Sequence, residues 1–267
     1  MAGFATLDVA AAGGVLRVTL DRPAVRNAMS LQMVDDLRAV LAQAESAGDV
    51  RVIVLRGAGG HFCAGADLQD MARARQRELA GDDDAIAAVN ARFGELCGAF
   101  ARTGLATIAV LEGTVMGGGL GLACVVDVAL AGQGAQLRLP ETSLGVVPAQ
   151  IAAFLVERVG ASQARRLAVT GGKLSAAQAL AVGLVHEVHD DGAALDAALA
   201  ATLAQTLRCA PGAIAATKAL MARALHTPAA DLVDDAARLF AQAARGLEGT
   251  EGMTAFLQKR SPSWAPQ

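Results

Sequence analysis

The chain has 267 residues, which is enough for one large α/β domain or two smaller ones with a core that needs no disulfides. A formal net charge of -3 and an aromatic content of 3% exclude the basic patches and stacking rings that nucleic-acid binding needs. No apolar run reaches the roughly 18 residues of a membrane span, and no secretory signal is visible, so we expect a soluble cytoplasmic protein.

The first half of the chain alternates strands and helices. After Ser30, a candidate N-cap, apolar residues follow a helical spacing over residues 30–46. Short runs rich in β-branched residues, most of them ended by Gly or Pro, predict strands in 14–23, 49–59, 105–113 and 125–132. This rhythm predicts a layered α/β core with mostly parallel strands.

The character of the sequence changes from about residue 150. Periodic apolar positions predict helices in 150–160, 161–172, 175–183 and 193–225, with one short strand in 184–188. Residues 71–85 are charged and lack a clear apolar stripe, so we expect a mobile surface segment there. The tail from Lys259 needs a surface on which to dock.

Two loops carry the main chemical signal: "HFCAGADLQD" (61–70) and "MGGGLGLACVVDVAL" (116–130). Each is rich in small residues, follows a predicted strand and opens a predicted helix, for which Asp67 is a candidate start in the first loop. Three consecutive glycines suggest a close approach to the backbone, a positive φ or a needed backbone donor.

Taken alone, either loop is ambiguous. A capped βα turn explains the first, and a tight packing turn explains the second. The second loop also lacks the Gly-Lys-Ser/Thr ending of a P-loop and the spacing of a dinucleotide fingerprint. If both loops follow strands of one parallel sheet, the N–H groups of Ala66 and Gly118 can form an oxyanion hole for a thioester or ester carbonyl.

The sequence resembles the crotonase superfamily, the enoyl-CoA hydratase/isomerase family. The resemblance rests on "HFCAGADL", "VMGGGLGLACVVDVALAG" and "LRLPETSLGVVP", with "LDRPAVRNAMS" and "EGTEGMTAFLQKRSPSW" at the two ends. It covers essentially the whole chain, in the family's order of segments. It implies an α/β spiral of ββα units in residues 1–200, a C-terminal helical oligomerisation region in 201–267, and a homotrimer or homohexamer.

The resemblance also implies the roles of site residues. Ala66 and Gly118 would bind the thioester oxygen through their N–H groups and stabilise an enolate, and Glu141 would be the catalytic acid/base. Coenzyme A, the substrate's carrier, would contact Val25, Arg26, Ala64, Ala66, Leu68, Gly118, Phe256 and Lys259. The last two residues belong to a tail that in this family often crosses a subunit boundary. No permanently bound cofactor and no metal are expected.

The sequence departs from the hydratase pattern at Gly121, where many relatives have a first catalytic glutamate. Glu141 would then transfer protons alone, passing a proton between its two carboxylate oxygens in one syn addition. Arg138 stands where a glycine is usual, and residues 149–153 replace a second glycine-rich turn. These features indicate a remodelled acyl pocket.

Within the family, the same segments look most like the isohexenylglutaconyl-CoA hydratases of acyclic terpene breakdown. A near relative is the 3-methylglutaconyl-CoA hydratase of leucine breakdown. The sequence therefore predicts hydration of a β-branched glutaconyl-type thioester. The alternatives are a 3-methylglutaconyl-CoA or general enoyl-CoA hydratase, an enoyl-CoA isomerase, and a CoA-thioester-binding homologue without catalysis.

Other candidate residues are weaker. Glu112 ends a strand next to the glycine loop, where a solvated or capping role is favoured. The four histidines have no Asp or Ser at a supportive spacing, so a catalytic triad is not expected. Cys63 lies beside the first loop without an identifiable base, and the four cysteines lack the spacing of a zinc site.

Overall fold

The computed structural model describes residues 3–266, which form a six-stranded sheet and a three-stranded sheet surrounded by helices. The strands are β1 (Leu7–Ala12), β2 (Val15–Leu20), β3 (Val52–Gly57), β4 (Ala106–Leu111), β5 (Thr114–Met116), β6 (Val128–Gly132), β7 (Gln136–Arg138), β8 (Lys173–Ser175) and β9 (Glu187–His189). The helices are α1 (Leu31–Ala47), α2 (Leu68–Leu79), α3 (Ala85–Arg102), α4 (Gly118–Val125), α5 (Ala152–Thr170), α6 (Ala176–Ala181), α7 (Gly192–Leu207), α8 (Pro211–Ala224), α9 (Ala229–Arg245) and α10 (Leu247–Leu257).

The large sheet has the order β1-β2-β3-β4-β6-β9. Only β1 and β2 pair antiparallel, in a hairpin that turns at Gly13 and Gly14, both of which have positive φ. All other neighbours in this sheet are parallel, as the sequence predicts. The strand β1 was not expected, because its alternation of apolar and polar residues is hidden in a run of alanines.

The predicted helix after Ser30 is confirmed as α1. The Ser30 hydroxyl accepts a hydrogen bond from the backbone N–H of Met33 at 3.2 Å, which satisfies a donor that the first turn leaves free. One face of α1 is buried, and Met33, Val34, Leu37, Val40 and Leu41 pack into the core against the sheet. This packing holds α1 beside the first loop.

The first part of the segment 71–85, for which mobility is expected, is helical, because residues 68–79 form α2; its mobility stays a prediction. Asp67 caps this helix by accepting a hydrogen bond from Gln69 N–H at 2.8 Å. Asp70 accepts another from Leu31 N–H at 2.8 Å, which joins the starts of α1 and α2. Only Ala74 is buried in α2, so the helix has almost no apolar stripe in its sequence.

The helices after residue 150 follow the predicted pattern with two differences. The predicted helices 150–160 and 161–172 form the single element α5, which is interrupted at Gly160 with φ 74° and ψ 157°. The predicted helix 193–225 is divided before Pro211 into α7 and α8. The expected boundary at residue 200 falls inside α7, whose Leu residues pack on the sheet. The division into a core and an oligomerisation region remains a prediction.

The tail docks near the start of β3. Arg51 donates a hydrogen bond to the carbonyl oxygen of Trp264 at 2.5 Å, and the Trp264 indole N–H donates to the Arg208 carbonyl at 3.1 Å. In addition, Glu248 at the start of α10 accepts from Gly212 N–H at 2.9 Å. The C-terminal helices and the tail therefore contact one another at the edge of the sheet where β3 begins. Among residues 3–266, no helix is both long enough and apolar enough to cross a bilayer.

Candidate active site

The two candidate loops are joined by backbone hydrogen bonds. Cys63 N–H donates to the Thr114 carbonyl at 3.0 Å, and Met116 N–H donates to the Cys63 carbonyl at 2.9 Å. The expectation that both loops follow strands of one sheet is wrong. The first loop follows β3 of the large sheet, whereas the second follows β5, which pairs with β7 in the small sheet. A separate bridge between Cys63 and Val115 brings the loops together instead.

Ala66 lies on an extended stretch of the first loop beside Met29. Met29 N–H donates to the Gly65 carbonyl at 2.7 Å, and the Met29 carbonyl accepts from Asp67 N–H at 2.9 Å. These two hydrogen bonds are formed by Gly65 and Asp67, the residues on either side of Ala66. Because successive N–H groups of an extended chain point in opposite directions, the N–H of Ala66 points away from Met29. Ala66 is exposed, so a ligand can reach this donor.

Gly118 is the first residue of α4, so its N–H lacks an acceptor within the helix. The preceding Gly117 has φ 47° and ψ -115°, a conformation that favours glycine. Its own N–H is already used in a bond of 3.1 Å to the carbonyl of Arg138. This arrangement leaves the Gly118 N–H as a backbone donor at the positive end of α4.

The close approach that the glycine run predicts is between the two loops themselves. A Cβ at Gly119 would lie 2.7 Å from the Cβ of Cys63 and 2.9 Å from its carbonyl oxygen. On the other loop, a Cβ at Gly65 would lie 3.3 Å from the carbonyl oxygen of Met116. Larger side chains at these positions would push the loops, and with them the donors at Ala66 and Gly118, apart.

Glu141 begins a short 3₁₀ helix (Glu141–Leu144) after β7, and its carboxylate reaches the glycine loop. A Cβ at Gly117 would lie 3.0 Å from Glu141 Oε1. The other oxygen, Oε2, is buried and has no hydrogen-bond partner within residues 3–266. Burial raises the pKa of the Glu141 carboxyl above its usual value. A carboxylate in such surroundings is suited to accept a proton.

An apolar wall of two side chains surrounds Gly121. A Cβ at Gly121 would lie 3.0 Å from Phe93 Cζ and 3.1 Å from Ile151 Cγ1. The Phe93 ring also lies 3.4 Å from a Cβ position at Gly118, so the same ring borders the candidate oxyanion donor. Even the Cβ of a second glutamate would thus be crowded by hydrocarbon at this position. Sequence reasoning missed Phe93, which carries no motif and lies 28 residues before Gly121.

The candidate CoA-binding residues of the N-terminal loops lie together. Ala64 N–H donates to the Arg26 carbonyl at 3.0 Å, which joins the short helix Pro23–Val25 to the first loop. Val25 is 46% exposed and Leu68 is 79% exposed. The structure therefore joins Arg26 to Ala64, and Val25, Ala66 and Leu68 are exposed neighbours of these two residues along the chain.

Phe256 and Lys259 belong to the C-terminal end of the chain. Phe256 lies in the last turn of α10 and Lys259 shortly after it, and the tail beyond them is held at Trp264 by Arg51 at the start of β3, whereas the first loop follows the end of the same strand. Six strand residues at about 3.3 Å each separate these edges by about 20 Å. The role of the tail at a CoA site stays a prediction.

The weaker candidates have structural partners. Glu112 forms an ion pair with Arg56 at 2.6 Å, and His61 Nδ1 accepts from Thr114 N–H at 3.1 Å. Cys63 is buried, and burial raises the pKa of its thiol to about 11, so it is a poor nucleophile at neutral pH. Arg138 has its guanidinium 3.5 Å from the Ser143 hydroxyl, and its carbonyl holds Gly117 as described above.

Comparison with known proteins places the chain in a family. Residues 10–267 match the family described as "Enoyl-CoA hydratase/isomerase". The chain is 32% identical over 251 residues to the 2,3-dehydroadipyl-CoA hydratase of Escherichia coli, covering 94% of each chain.

Solved structures agree with this assignment. Pseudomonas aeruginosa AtuE superposes with a TM-score of 0.93 at 52% identity, over 98% of this chain and 100% of that one. An enoyl-CoA hydratase/isomerase from Marinobacter aquaeolei gives a TM-score of 0.93 at 48% identity, over 98% and 99% of the two chains. The expected crotonase-type α/β fold is confirmed. The chain belongs to the enoyl-CoA hydratase/isomerase family and is an enzyme of the enoyl-CoA hydratase type.

Proposed function

We propose that this enzyme hydrates a β-branched, glutaconyl-type enoyl-CoA thioester, with isohexenylglutaconyl-CoA of acyclic terpene breakdown as the favoured substrate. The observation that carries the proposal is the combination of Glu141, whose Oε2 is buried and has no hydrogen-bond partner among residues 3–266, with a hydrocarbon wall at Gly121. The wall offers a surface to a β-branch, and it leaves a single side chain to transfer protons.

In this proposal, the thioester carbonyl oxygen accepts hydrogen bonds from the N–H groups of Ala66 and Gly118. The Glu141 carboxylate removes a proton from water while the water oxygen bonds to Cβ. The electron pair of the C=C bond moves toward the thioester, whose oxygen carries the enolate charge. Glu141 then returns its proton to Cα, so the net change is the addition of one water molecule.

A glutaconyl-type substrate also brings a second carboxylate. We propose that this group helps to position the attacking water and so makes a second glutamate dispensable. The name of the Escherichia coli relative, 2,3-dehydroadipyl-CoA hydratase, refers to another CoA thioester of a dicarboxylic acid. That relative supports the substrate class without identifying the acyl chain.

The direct test is a panel assay of the purified enzyme on isohexenylglutaconyl-CoA, 3-methylglutaconyl-CoA and crotonyl-CoA. We expect kcat/KM to be highest for the first thioester and far lower for crotonyl-CoA, which lacks both the branch and the second carboxylate. Equal kcat/KM values for the three substrates would contradict the proposed substrate class.

Isomerisation of an enoyl-CoA double bond is a second candidate, because a lone carboxylate facing hydrocarbon can also move a proton between two carbons. Mass spectrometry of the product separates the two reactions, since hydration adds 18 Da of water and isomerisation leaves the mass unchanged. An unchanged substrate after long incubation would instead indicate a protein that only binds the thioester.

We also propose a homotrimer or a homohexamer. Several large apolar side chains of the C-terminal helices are exposed in the protomer, among them Phe240 at 75%, Leu247 at 93% and Phe256 at 83%. Such a surface is typical of an interface between subunits. Light scattering after size-exclusion chromatography would give a mass three or six times that of the 27.0 kDa chain, and a monomer mass would refute the proposal.

A further inference from the structure

Next to the apolar wall at Gly121 lies a solvent-exposed contact between two side-chain amides. Gln150 directly precedes Ile151, and its side chain lies across the backbone of α3. There, Gln150 Nε2 donates a hydrogen bond to Asn90 Oδ1 at 2.8 Å. Asn90 lies three residues before Phe93, on the same helix. The two amides thus connect the segments that carry the two side chains of the wall.

Gly94 makes this contact sterically feasible. A Cβ at Gly94 would lie 2.1 Å from Gln150 Oε1 and 2.6 Å from its Cδ, so any larger residue would displace the Gln150 side chain. Gly94 lies in the interior of α3, where glycine costs about 1 kcal/mol relative to alanine. The fold accepts a helix-weakening residue at the one position over which the Gln150 amide rests.

Gln150 lies in a turn that leads into α5. Ile151 N–H donates to the Pro148 carbonyl at 3.1 Å, and Ala152 N–H donates to the same oxygen at 2.9 Å. These hydrogen bonds make the turn compact, so we expect a displacement of Gln150 to displace Ile151 as well. Gln150, the residue directly before Ile151, thus contacts α3, and Ile151 borders Gly121.

We infer that Asn90, Gly94 and Gln150, the amide latch, determine the acyl specificity of this enzyme by holding Ile151 and Phe93 against Gly121. These three residues are positioning residues, since they act through the two wall side chains and not on the reacting atoms. With the wall held in place, a β-branch of the acyl group packs on hydrocarbon. With the latch released, Ile151 withdraws and the branch loses that contact. This inference rests on the proposed function.

The substitution Gly94→Ala tests the inference because it releases the latch without weakening the helix. Its added methyl group meets only the flexible end of Gln150 among its nearest neighbours, and alanine favours the helix over glycine. The matched control is Gly98→Ala, one turn further along α3, where the nearest atoms are the flexible end of Arg102 at 2.9 Å. The two variants share the same change in helix propensity, but Gly98→Ala adds its methyl group at a buried position beside Arg102 and leaves the Gln150 amide untouched.

The readout is the ratio of kcat/KM for 3-methylglutaconyl-CoA to that for unbranched glutaconyl-CoA. For Gly94→Ala we expect this ratio to fall by about 10-fold, which is the lower range for one methyl-sized contact in an apolar pocket. The ratio should stay within about 3-fold of wild type in Gly98→Ala, and Tm should not fall in either variant.

A double-mutant cycle shows whether the effect passes through Gln150. If it does, Gly94→Ala adds nothing to the ratio in a Gln150→Ala background, because the displaced group is already absent. An unchanged ratio in Gly94→Ala, an equal fall in Gly98→Ala, or additive effects in the cycle would each overturn the inference.

Failure of the latch and failure of the proposed function give different results. If wild type does not favour the branched thioester over the unbranched one, the proposed substrate class fails. The latch is still tested in that case, because it requires Gly94→Ala to change the ratio and Gly98→Ala to leave it unchanged. A wild-type preference for the branched thioester that Gly94→Ala leaves intact refutes the latch alone.

Discussion

The carboxylate of Glu141 occupies the space beside Gly117 that a side chain on residue 117 would need. A Cβ on Gly117 would lie 3.0 Å from Glu141 Oε1, and Gly117 has a positive φ of 47°. Two physical features therefore favour glycine at position 117: the backbone conformation with positive φ and the neighbouring Glu141 carboxylate. This contact places the one candidate proton carrier next to the residue that precedes the donor at Gly118.

Replacement of Gly117 by alanine should affect both stability and catalysis. We expect the positive φ to cost about 1–3 kcal/mol and the methyl group to displace the Glu141 carboxylate, so that kcat falls. Gly13→Ala is the control, because Gly13 also has a positive φ of 58° but a Cβ there would have nothing within 4 Å. Denaturant unfolding and steady-state kinetics should show a loss of stability in both variants and a loss of kcat in Gly117→Ala alone.

Replacement of Glu141 by glutamine should remove the proton carrier. We expect hydratase kcat to fall by about 10²–10⁴-fold, which is typical of a general acid-base group. Binding of a CoA thioester, measured by calorimetry, should be kept because the backbone donors are unchanged. A variant that folds, binds the thioester and retains more than about a tenth of the activity would rule out this role.

The raised pKa of Glu141 should appear in the pH dependence of kcat/KM. Only the ionised carboxylate accepts a proton from water, and burial favours the neutral form. Activity should therefore decline on the acid side at a higher pH than an ordinary, exposed glutamate would give. An acid limb at or below the usual glutamate pKa would contradict the buried base.

The same shift has a consequence for stability. Because the folded-state pKa of Glu141 is raised, the folded protein binds more protons than the unfolded chain between the two pKa values, and stability falls as pH rises through that range. The Tm of Glu141→Gln relative to wild type should therefore be higher at pH 8 than at pH 4. A difference in Tm that is independent of pH would show that ionisation of Glu141 does not affect stability.

Introduction of the missing glutamate by Gly121→Glu should not increase hydration. The Cβ of the new side chain would already lie 3.0 Å from Phe93 Cζ and 3.1 Å from Ile151 Cγ1, which is closer than ordinary van der Waals contact. Overpacking typically costs about 1–3 kcal/mol, and a buried charge adds to it. Gly192→Glu is the control, since it adds the same charge at an exposed helix start with nothing within 4 Å. Only Gly121→Glu should lower the free energy of unfolding.

Several parts of the fold and site could be predicted from the sequence. The helix after Ser30 and the parallel strands could be predicted from the local spacing of apolar residues. That spacing is a reliable signal where an element buries one face. The start of α2 at Asp67 could be predicted, but its extent over Leu68–Leu79 could not, because the helix is held by Asp67 and Asp70 and not by an apolar stripe. The strands of the small sheet are only three residues long, too short to show a period.

By itself, the sequence determined the α/β class and the two small-residue loops, and its resemblance to the family pointed to Gly121 in place of a glutamate. These features depend on the order of residues within a few turns or strands. Only the tertiary structure decided that Phe93 and Ile151 fill the space at Gly121, that Cys63 meets Gly119, and that Glu141 lies beside Gly117. Such contacts join segments that lie about 20 to 60 residues apart, and side-chain packing between distant segments leaves no periodic signal in the chain.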